Sequence, residues 1–260
     1  MADTASPLVS EGLDPVIEPA APDVLVMSFG EVARFRIGFD DKTIRLISTH
    51  PKADQDTIDH LVDDHIAPRI IAAGGDLVLH GSACVIDGCL AVFLGQTGSG
   101  KSTLAASMHA DGHRLLGDDA VVISVVDGVF HGESVYPSLR LYRESIDQVF
   151  RDDVRTTAMA FYSDKLHVAA DNLGDGTGPQ RYPIGAIYIL TEGDAGVMLD
   201  RFVPADACMA LVENSFALDP HDPVAAAQRM AKAASVAAAT ACYELAYPYD
   251  FGLLGEAARR

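Results

Sequence analysis

A glycine-rich loop that ends in lysine and serine is the segment of this sequence best suited to chemistry. It reads Gly95-Gln-Thr-Gly-Ser-Gly-Lys-Ser102 and fits the GxxxxGK[ST] pattern of phosphate-binding loops. Glycines let successive backbone N–H groups turn toward one phosphate, and a helix that begins at the lysine adds the positive end of its dipole. In this pattern Lys101 contacts the β- and γ-phosphates, and the Ser102 hydroxyl binds Mg²⁺. The sequence therefore predicts ATP and Mg²⁺ as ligands.

The residues on either side of the loop provide the context that a phosphate loop requires. The apolar run at 90–94 predicts a strand, and residues 101–110 predict a helix that Gly112 closes. We expect the nucleotide to contact the loop and the first helical turn. The candidate nucleotide-binding residues there are Gly95, Gln96, Thr97, Gly98, Ser99, Gly100, Lys101, Ser102 and Thr103.

An acidic pair, Asp118-Asp119, follows the next predicted strand, at 113–117. A right-handed crossover would place that strand beside and parallel to the strand at 90–94, so the pair would return to the loop. One carboxylate can then hold Mg²⁺, and another can accept a proton from an attacking hydroxyl. Two adjacent carboxyl groups raise each other's pKa when no metal is bound, so one of them can act as a base near neutral pH. The alternative is an ordinary turn.

Composition excludes several classes of protein. The 260 residues are 49% hydrophobic, enough for a buried core, and the net charge of −18 argues against a nucleic-acid partner. No apolar stretch is long enough to span a membrane, and the N-terminus lacks the pattern of a secretory signal. The four scattered cysteines fit neither a disulfide scaffold nor a zinc cluster. We therefore expect a cytoplasmic protein with no nucleic-acid or membrane partner.

The order of predicted elements indicates an α/β fold with three parts. Residues 1–22 lack an apolar period and predict a disordered arm. Residues 23–76 predict a small N-terminal element, with strands at 24–28, 33–37 and 43–47 and a helix or pair of short helices at 55–73. Residues 77–260 predict the catalytic domain, which begins with a hairpin turning at Asp87-Gly88. A glycine-rich segment at 171–181 is either a surface connection or a substrate lid.

These motifs together resemble the catalytic domain of bacterial HPr kinase/phosphorylase. The resemblance covers about residues 77–126 and rests on His80-Gly-Ser-Ala-Cys-Val-Ile-Asp-Gly, the loop, and Gly112-His-Arg-Leu-Leu-Gly-Asp-Asp119. It implies a P-loop kinase core of the HPr kinase and phosphoenolpyruvate carboxykinase type. It further implies a serine kinase in which Asp119 accepts the proton of the substrate serine and His80 is a catalytic-site histidine. The sequence alone leaves His80 either in the core or in the site.

The sequence also departs from that family. The family's L-E-x-R-G-x-G-like segment, which supplies a metal-binding glutamate, is not found, and the corresponding region is Tyr136-Pro-Ser-Leu-Arg-Leu-Tyr-Arg-Glu144. Glu144 is a candidate metal ligand, alongside Ser102 and Asp118, or else the solvated start of a helix. Arg140 is a candidate phosphate clamp, or else pairs on the surface with nearby acidic residues such as Asp147.

The overall layout is closest to compact HPr-kinase-like proteins of lasso peptide biosynthesis. That similarity rests on the short β-rich start, the Pro137-Ser-Leu-Arg-Leu141 segment and the final strand near 242–248. It implies phosphorylation of a serine in a peptide or small protein, with the C-terminal serine of a lasso precursor peptide as the expected acceptor. The alternatives are an HPr(Ser) kinase/phosphorylase-like regulator, a kinase for free serine, and a nucleotide-dependent switch without phosphotransfer. The family resemblance also allows a homo-oligomer, because HPr-type enzymes are hexamers.

Overall fold

The computed structural model describes residues 14–135, 139–150, 154–168, 181–194 and 196–259. The predicted lid segment at 171–181 lies outside these residues except for Arg181, which begins a strand. The described chain has a mixed α/β fold, as the order of predicted elements indicates. Among the described helices, none combines the length and hydrophobicity that crossing a membrane requires.

A four-stranded antiparallel sheet in chain order forms the N-terminal part. Its strands are β1 (Val16–Ala21), β2 (Val24–Phe29), β3 (Ala33–Gly38) and β4 (Thr43–Thr49). The three predicted strands are confirmed, whereas the prediction of a disordered arm is wrong from Val16 onward. Strand β1 lies at the sheet edge with mostly exposed side chains and a proline, so it gives no apolar period in the sequence.

A helical segment follows the sheet and packs against it. It consists of α1 (Gln55–His60), a π-helical stretch (Leu61–Ile66) and α2 (Ala67–Ala73). Asp54 caps α1 by accepting a hydrogen bond from the Thr57 N–H. Pro68 lacks the N–H that would bond the Asp64 carbonyl in a regular helix, which accounts for the wider turn just before α2. The predicted helical segment at 55–73 is thus confirmed, as two short α-helices joined by the π-helical stretch.

The remaining strands form one large mixed sheet and one small sheet. The small antiparallel sheet contains β11 (Arg140–Leu141), β12 (Thr156–Ala158) and β13 (Leu166–Val168). The large nine-stranded sheet contains β5 (Leu77–Leu79), β6 (Gly81–Ile86), β7 (Cys89–Leu94), β8 (Arg114–Gly117), β9 (Val121–Val126), β10 (Val129–Ser134), β14 (Arg181–Glu192), β15 (Met198–Arg201) and β16 (Ala241–Tyr247).

The hairpin of β6 and β7 lies between strand β14 and the edge strand β8 of the large sheet. Asp87 and Gly88 turn it with φ angles of 49° and 79°, as the predicted two-residue turn requires. Strand β8 pairs with β6 and not with β7, so the expectation that β8 lies directly beside β7 is wrong. Because β6 is antiparallel to both neighbours, β7 and β8 still run in the same direction. Their carboxyl ends, and the start of β6, therefore share one edge of the sheet.

The two faces of the large sheet bury different side chains of the same strands. Leu90, Val92 and Leu94 of β7 pack toward α5 (Pro204–Glu213) and α6 (Pro223–Ala239). Ala91 and Phe93 pack on the other face toward α3 (Lys101–Ala110), α4 (Arg143–Val149) and α7 (Leu254–Ala257). This period-two alternation fixes the register of β7, and hence the position at which its loop leaves the sheet.

Candidate active site

The predicted phosphate loop connects the end of β7 to the start of α3. Gly95, Gly98 and Gly100 have φ angles of 143°, 86° and 86°, which side chains other than glycine rarely adopt. A Cβ at Gly95 would lie 2.8 Å from the Leu190 carbonyl oxygen, so this position also lacks space for a side chain. Backbone conformation, and at Gly95 also lack of space, therefore explain why glycine occupies these three positions of the loop.

Lys101 turns its side chain back into the loop. Its Nζ donates hydrogen bonds to the carbonyl oxygens of Gly95, at 2.8 Å, and Gln96, at 3.0 Å. Burial lowers the pKa of the ammonium, and the charges of Asp118 and Asp119 oppose that effect. The positively charged end of Lys101 thus lies inside the curve of the loop.

Asp118 lies at the end of β8 and is buried, with 2% of its surface exposed. Its Oδ1 accepts hydrogen bonds from the hydroxyls of Ser82 and Ser102, the latter at 3.0 Å. Burial, and next the charge of Asp119, raise the pKa of this carboxyl group. A carboxylate and two hydroxyls are hard oxygen donors, so the donor set around Asp118 and Ser102 fits Mg²⁺.

Asp119 adopts a strained backbone conformation, with a φ angle of 76° in the left-handed region. Its Oδ1 lies 3.7 Å from His80 Nε2, and its Oδ2 lies 2.5 Å from Arg140 Nη1. Burial opposes ionisation, but the contact with His80 and the charge of Arg140 prevail and lower the pKa of Asp119. The pKa values of the two neighbouring carboxyl groups therefore differ in opposite directions, and Asp119 is the one that carries the negative charge.

Arg140 is buried and lies between two carboxylates. Its Nη1 is 2.7 Å from Oδ2 of Asp64 and 2.5 Å from Oδ2 of Asp119. The described ion pairs of Arg140 are thus with Asp64 and Asp119, and not with the acidic residues of its own segment. Arg143 and Glu144, by contrast, are exposed on the first turn of α4, and Glu144 is not among the described residues that line the cavities below.

Two cavities meet at this cluster. The first, of about 220 Å³, contains the loop together with Tyr142, Tyr247, Tyr249 and Phe251, and we call it the loop cavity. The second, of about 340 Å³, is lined by the segment from His60 to Arg69, and we call it the helix cavity. Five residues line both cavities. They are His80, Thr97, Asp119, Arg140 and Lys165.

Several residues of the site are missed by sequence reasoning. His60, Asp64 and His65 line the helix cavity, and none of the three is among the candidate site residues predicted from the sequence. Asp64 contacts both His60 and Arg140. The signal that could have found them is the i,i+4 spacing of His60 and Asp64, which places both side chains on one face of a helix. Lys165 is a further addition, with its Nζ 5.4 Å from the centre of the Tyr142 ring.

Comparison with known proteins gives partial matches. No protein-family model matches the chain. A segment of 58 residues is 41% identical to HPr kinase/phosphorylase of Clostridium kluyveri and covers 22% of this chain and 19% of that protein. The protein of the same name from Clostridium novyi matches to the same extent. The chain thus aligns with about a fifth of the length of these curated relatives.

A solved structure, the Hpr(Ser) kinase/phosphatase from Coxiella burnetii, matches 69% of this chain and 91% of its own chain. The sequence identity is 10% and the TM-score is 0.36, a value too low to establish a shared fold. The sequence matches confirm the family resemblance inferred from the motifs. Over the matched segment of 58 residues, the chain is similar to HPr kinase/phosphorylase.

Proposed function

We propose that this chain is an ATP- and Mg²⁺-dependent cytoplasmic kinase that transfers the γ-phosphoryl group to a serine hydroxyl of a peptide or small protein. The observation that carries the proposal is the meeting of the loop cavity and the helix cavity at Asp119, Arg140 and Lys165. A donor bound in one cavity and an acceptor bound in the other would face each other across these residues.

The loop cavity has the features of a nucleotide site. The loop and Lys101 are placed to hold the phosphates, since the ammonium already lies within the curve of the loop. Tyr142, Tyr249 and Phe251 offer aromatic surface for the base at the other side of the same cavity. Nucleotide binding would replace the bonds from Lys101 to the Gly95 and Gln96 carbonyls with bonds to phosphate oxygens.

Ser102 and Asp118 are the residues that would hold Mg²⁺, with Ser82 orienting the Asp118 carboxylate. When bound, Mg²⁺ neutralises charge that develops on the transferred phosphoryl group. The buried Asp118 must ionise to serve as a ligand, and a nearby cation favours that ionisation. Ser102 and Asp118 were both predicted from the sequence in this role, and Glu144 has no described contact that supports one.

Asp119 is placed to act on the acceptor. A serine hydroxyl that enters from the helix cavity would donate its proton to Asp119 as its oxygen bonds to the γ-phosphorus and the bond to the β-phosphate oxygen breaks. ADP then leaves, and the proton stays on Asp119. Its low pKa makes Asp119 a weak base, which suits a late proton transfer in a loose transition state. Arg140 and Lys165 would balance the negative charge nearby.

The expected acceptor is the C-terminal serine of a lasso precursor peptide. The chain's layout supports this substrate class, and the helix cavity has room for a serine with its adjoining backbone. The curated relatives are named for phosphorylation of the protein HPr. The alternative function is that of a regulator that phosphorylates a protein such as HPr. The resemblance to these relatives also allows a homo-oligomeric assembly.

Measuring ADP release separates the proposal from its alternatives. The purified chain is incubated with ATP and Mg²⁺ alone, with free L-serine, and with a peptide that ends in serine. We expect ADP release to depend on the peptide. Release that depends on free serine would indicate a metabolite kinase, and slow release that no acceptor changes would indicate a nucleotide-dependent switch.

A further inference from the structure

The helix cavity contains a largely buried arginine, Arg69, that the reaction proposed above does not use. Arg69 lies on α2, and 12% of its side-chain surface is exposed. Its guanidinium lies 5.3 Å from the centre of the Phe216 ring, and its Nη1 donates a hydrogen bond to the His65 carbonyl at 2.9 Å. The group is thus held rigidly on two sides, which suits bidentate recognition of a carboxylate.

The charge of Arg69 is poorly balanced. Among the described residues, the carboxylate in contact with it is Asp14, whose Oδ1 lies 3.3 Å from Nη2 and whose side chain is 97% exposed. Burial lowers the pKa of Arg69, and the charge of the solvated Asp14 opposes this only in part. A buried cation with a single solvated partner has a strong tendency to bind an additional anion.

Arg69 is connected to the reacting centre by ring contacts. Phe216, on which the guanidinium lies, has its ring centre 5.5 Å from that of His80, and His80 Nε2 lies 3.7 Å from Asp119 Oδ1. All four residues line the helix cavity. The same cavity contains the Tyr162 hydroxyl, which is buried with no hydrogen-bond partner among the described residues. Such an unmet polar atom is a further sign of a missing ligand or water.

We infer that Arg69 binds a carboxylate of the acceptor, and that Asp14 occupies this position until the acceptor displaces it. This inference rests on the proposed kinase function. It assigns the acceptor class as a peptide with a carboxylate close to the phosphorylated serine. That carboxylate is either the chain terminus or an acidic side chain.

Three peptides test the inference on the unaltered protein. One ends in serine with a free carboxylate, the second has the same sequence with a C-terminal amide, and the third is amidated but carries aspartate next to the serine. Binding of each is measured by calorimetry, and phosphorylation is measured separately with ATP and Mg²⁺. We expect the amide to bind at least tenfold more weakly than the free acid. Rescue by the neighbouring aspartate would identify a side-chain carboxylate as sufficient.

Variants connect this preference to Arg69. Arg69→Gln is expected to weaken binding of the free acid about as much as amidation does, and to leave binding of the amide unchanged. Asp14→Asn is expected to tighten binding of the free acid, because a competing carboxylate is removed. Arg36→Gln, which removes an exposed arginine paired with Asp41 in the N-terminal sheet, is the control for loss of one positive charge.

The outcomes separate this inference from the proposed function. Equal binding and phosphorylation of the free acid and the amide would overturn the inference and leave the kinase proposal intact. Arg69-dependent preference for the free acid without any phosphorylation would support the inference and overturn the kinase proposal. Absence of both binding and transfer with all three peptides would overturn both.

Discussion

Arg140 and Asp119 form an ion pair at the boundary of the two cavities, with 2.5 Å between Nη1 and Oδ2. Asp119 belongs to the turn after β8, and Arg140 begins β11, so the pair connects the large sheet to the small one. Arg140 also contacts Asp64 of the N-terminal helical segment. One guanidinium thus joins three parts of the chain at the position where we place the reaction.

Replacement of Asp119 by asparagine should abolish phosphoryl transfer. Asparagine tolerates the left-handed backbone of this position and keeps the size of the side chain, but it cannot accept the proton. We expect a loss of about 10²- to 10⁴-fold in kcat. ATP affinity, measured by calorimetry, should change little, and activity equal to that of the unaltered chain would refute the role of Asp119.

Replacement of Lys101 by alanine should weaken nucleotide binding as well as transfer. The ammonium is the described positive charge inside the loop, so its loss removes a direct phosphate contact. Titration with ATP should show a higher Kd, and transfer should fall in parallel. An unchanged Kd would mean that the phosphates lie elsewhere.

The strain at Asp119 predicts a difference in stability between two other variants. Asp119→Gly and Asp119→Ala both remove the carboxylate, but only alanine keeps a Cβ at a φ angle of 76°. Glycine should be the more stable by about 0.5 to 1 kcal/mol, after its greater entropy in the unfolded chain is included. Urea unfolding measures the difference. At the neighbouring Ala120, which lacks a positive φ, glycine should instead be destabilising.

Loss of Arg140 should destabilise the fold. Arg140→Gln would leave Asp64 and Asp119 without the cation that lies between them, at a cost of about 3 kcal/mol. Arg143→Gln, in the same segment but exposed, is the matched control and should change stability by less than about 0.5 kcal/mol. Equal midpoints for the two variants in urea unfolding would contradict the burial of Arg140.

His65 should make the fold sensitive to acid. Burial lowers the pKa of this imidazole from 6.5 to about 3. Between these values the unfolded chain binds a proton that the folded chain does not, so stability falls as the pH falls through this range. His65→Leu removes that contribution. As the pH falls, the free energy of unfolding of the unaltered chain should therefore decrease by up to about 1.4 kcal/mol per pH unit more than that of the variant. Parallel curves of unfolding free energy against pH, between pH 7 and pH 4, would disprove this.

Local patterns made part of the site predictable. The loop glycines, Lys101, Ser102 and the acidic pair depend on backbone conformation and on the direction of two strands, which short sequence segments encode. The adjacency of the two carboxyl groups predicted a raised pKa for one of them, and Asp118 has it chiefly because it is buried, whereas the pKa of the expected base, Asp119, is lowered. Strand β6 lies between β7 and β8, but the two strands still run in the same direction, so the acidic pair returns to the loop as predicted.

Contacts between distant segments were not predictable. Nothing near Asp64 in the sequence indicates that it meets Arg140, because the two residues are far apart in the chain and come together only in the folded structure. Arg69 likewise depends for its position on Phe216, which belongs to a remote part of the chain. Strand β1 was missed for a different reason, since an exposed edge strand requires few apolar side chains.

The proposed serine-kinase activity is best tested by intact-mass spectrometry of a serine-terminated lasso-type precursor peptide after incubation with the chain, ATP and Mg²⁺. We predict a mass gain of one phosphoryl group, localised by fragmentation to the terminal serine and absent with Asp119→Asn. A peptide of unchanged mass, in the presence of chain that is shown to bind ATP, would contradict the assignment of a serine kinase that acts on such peptides.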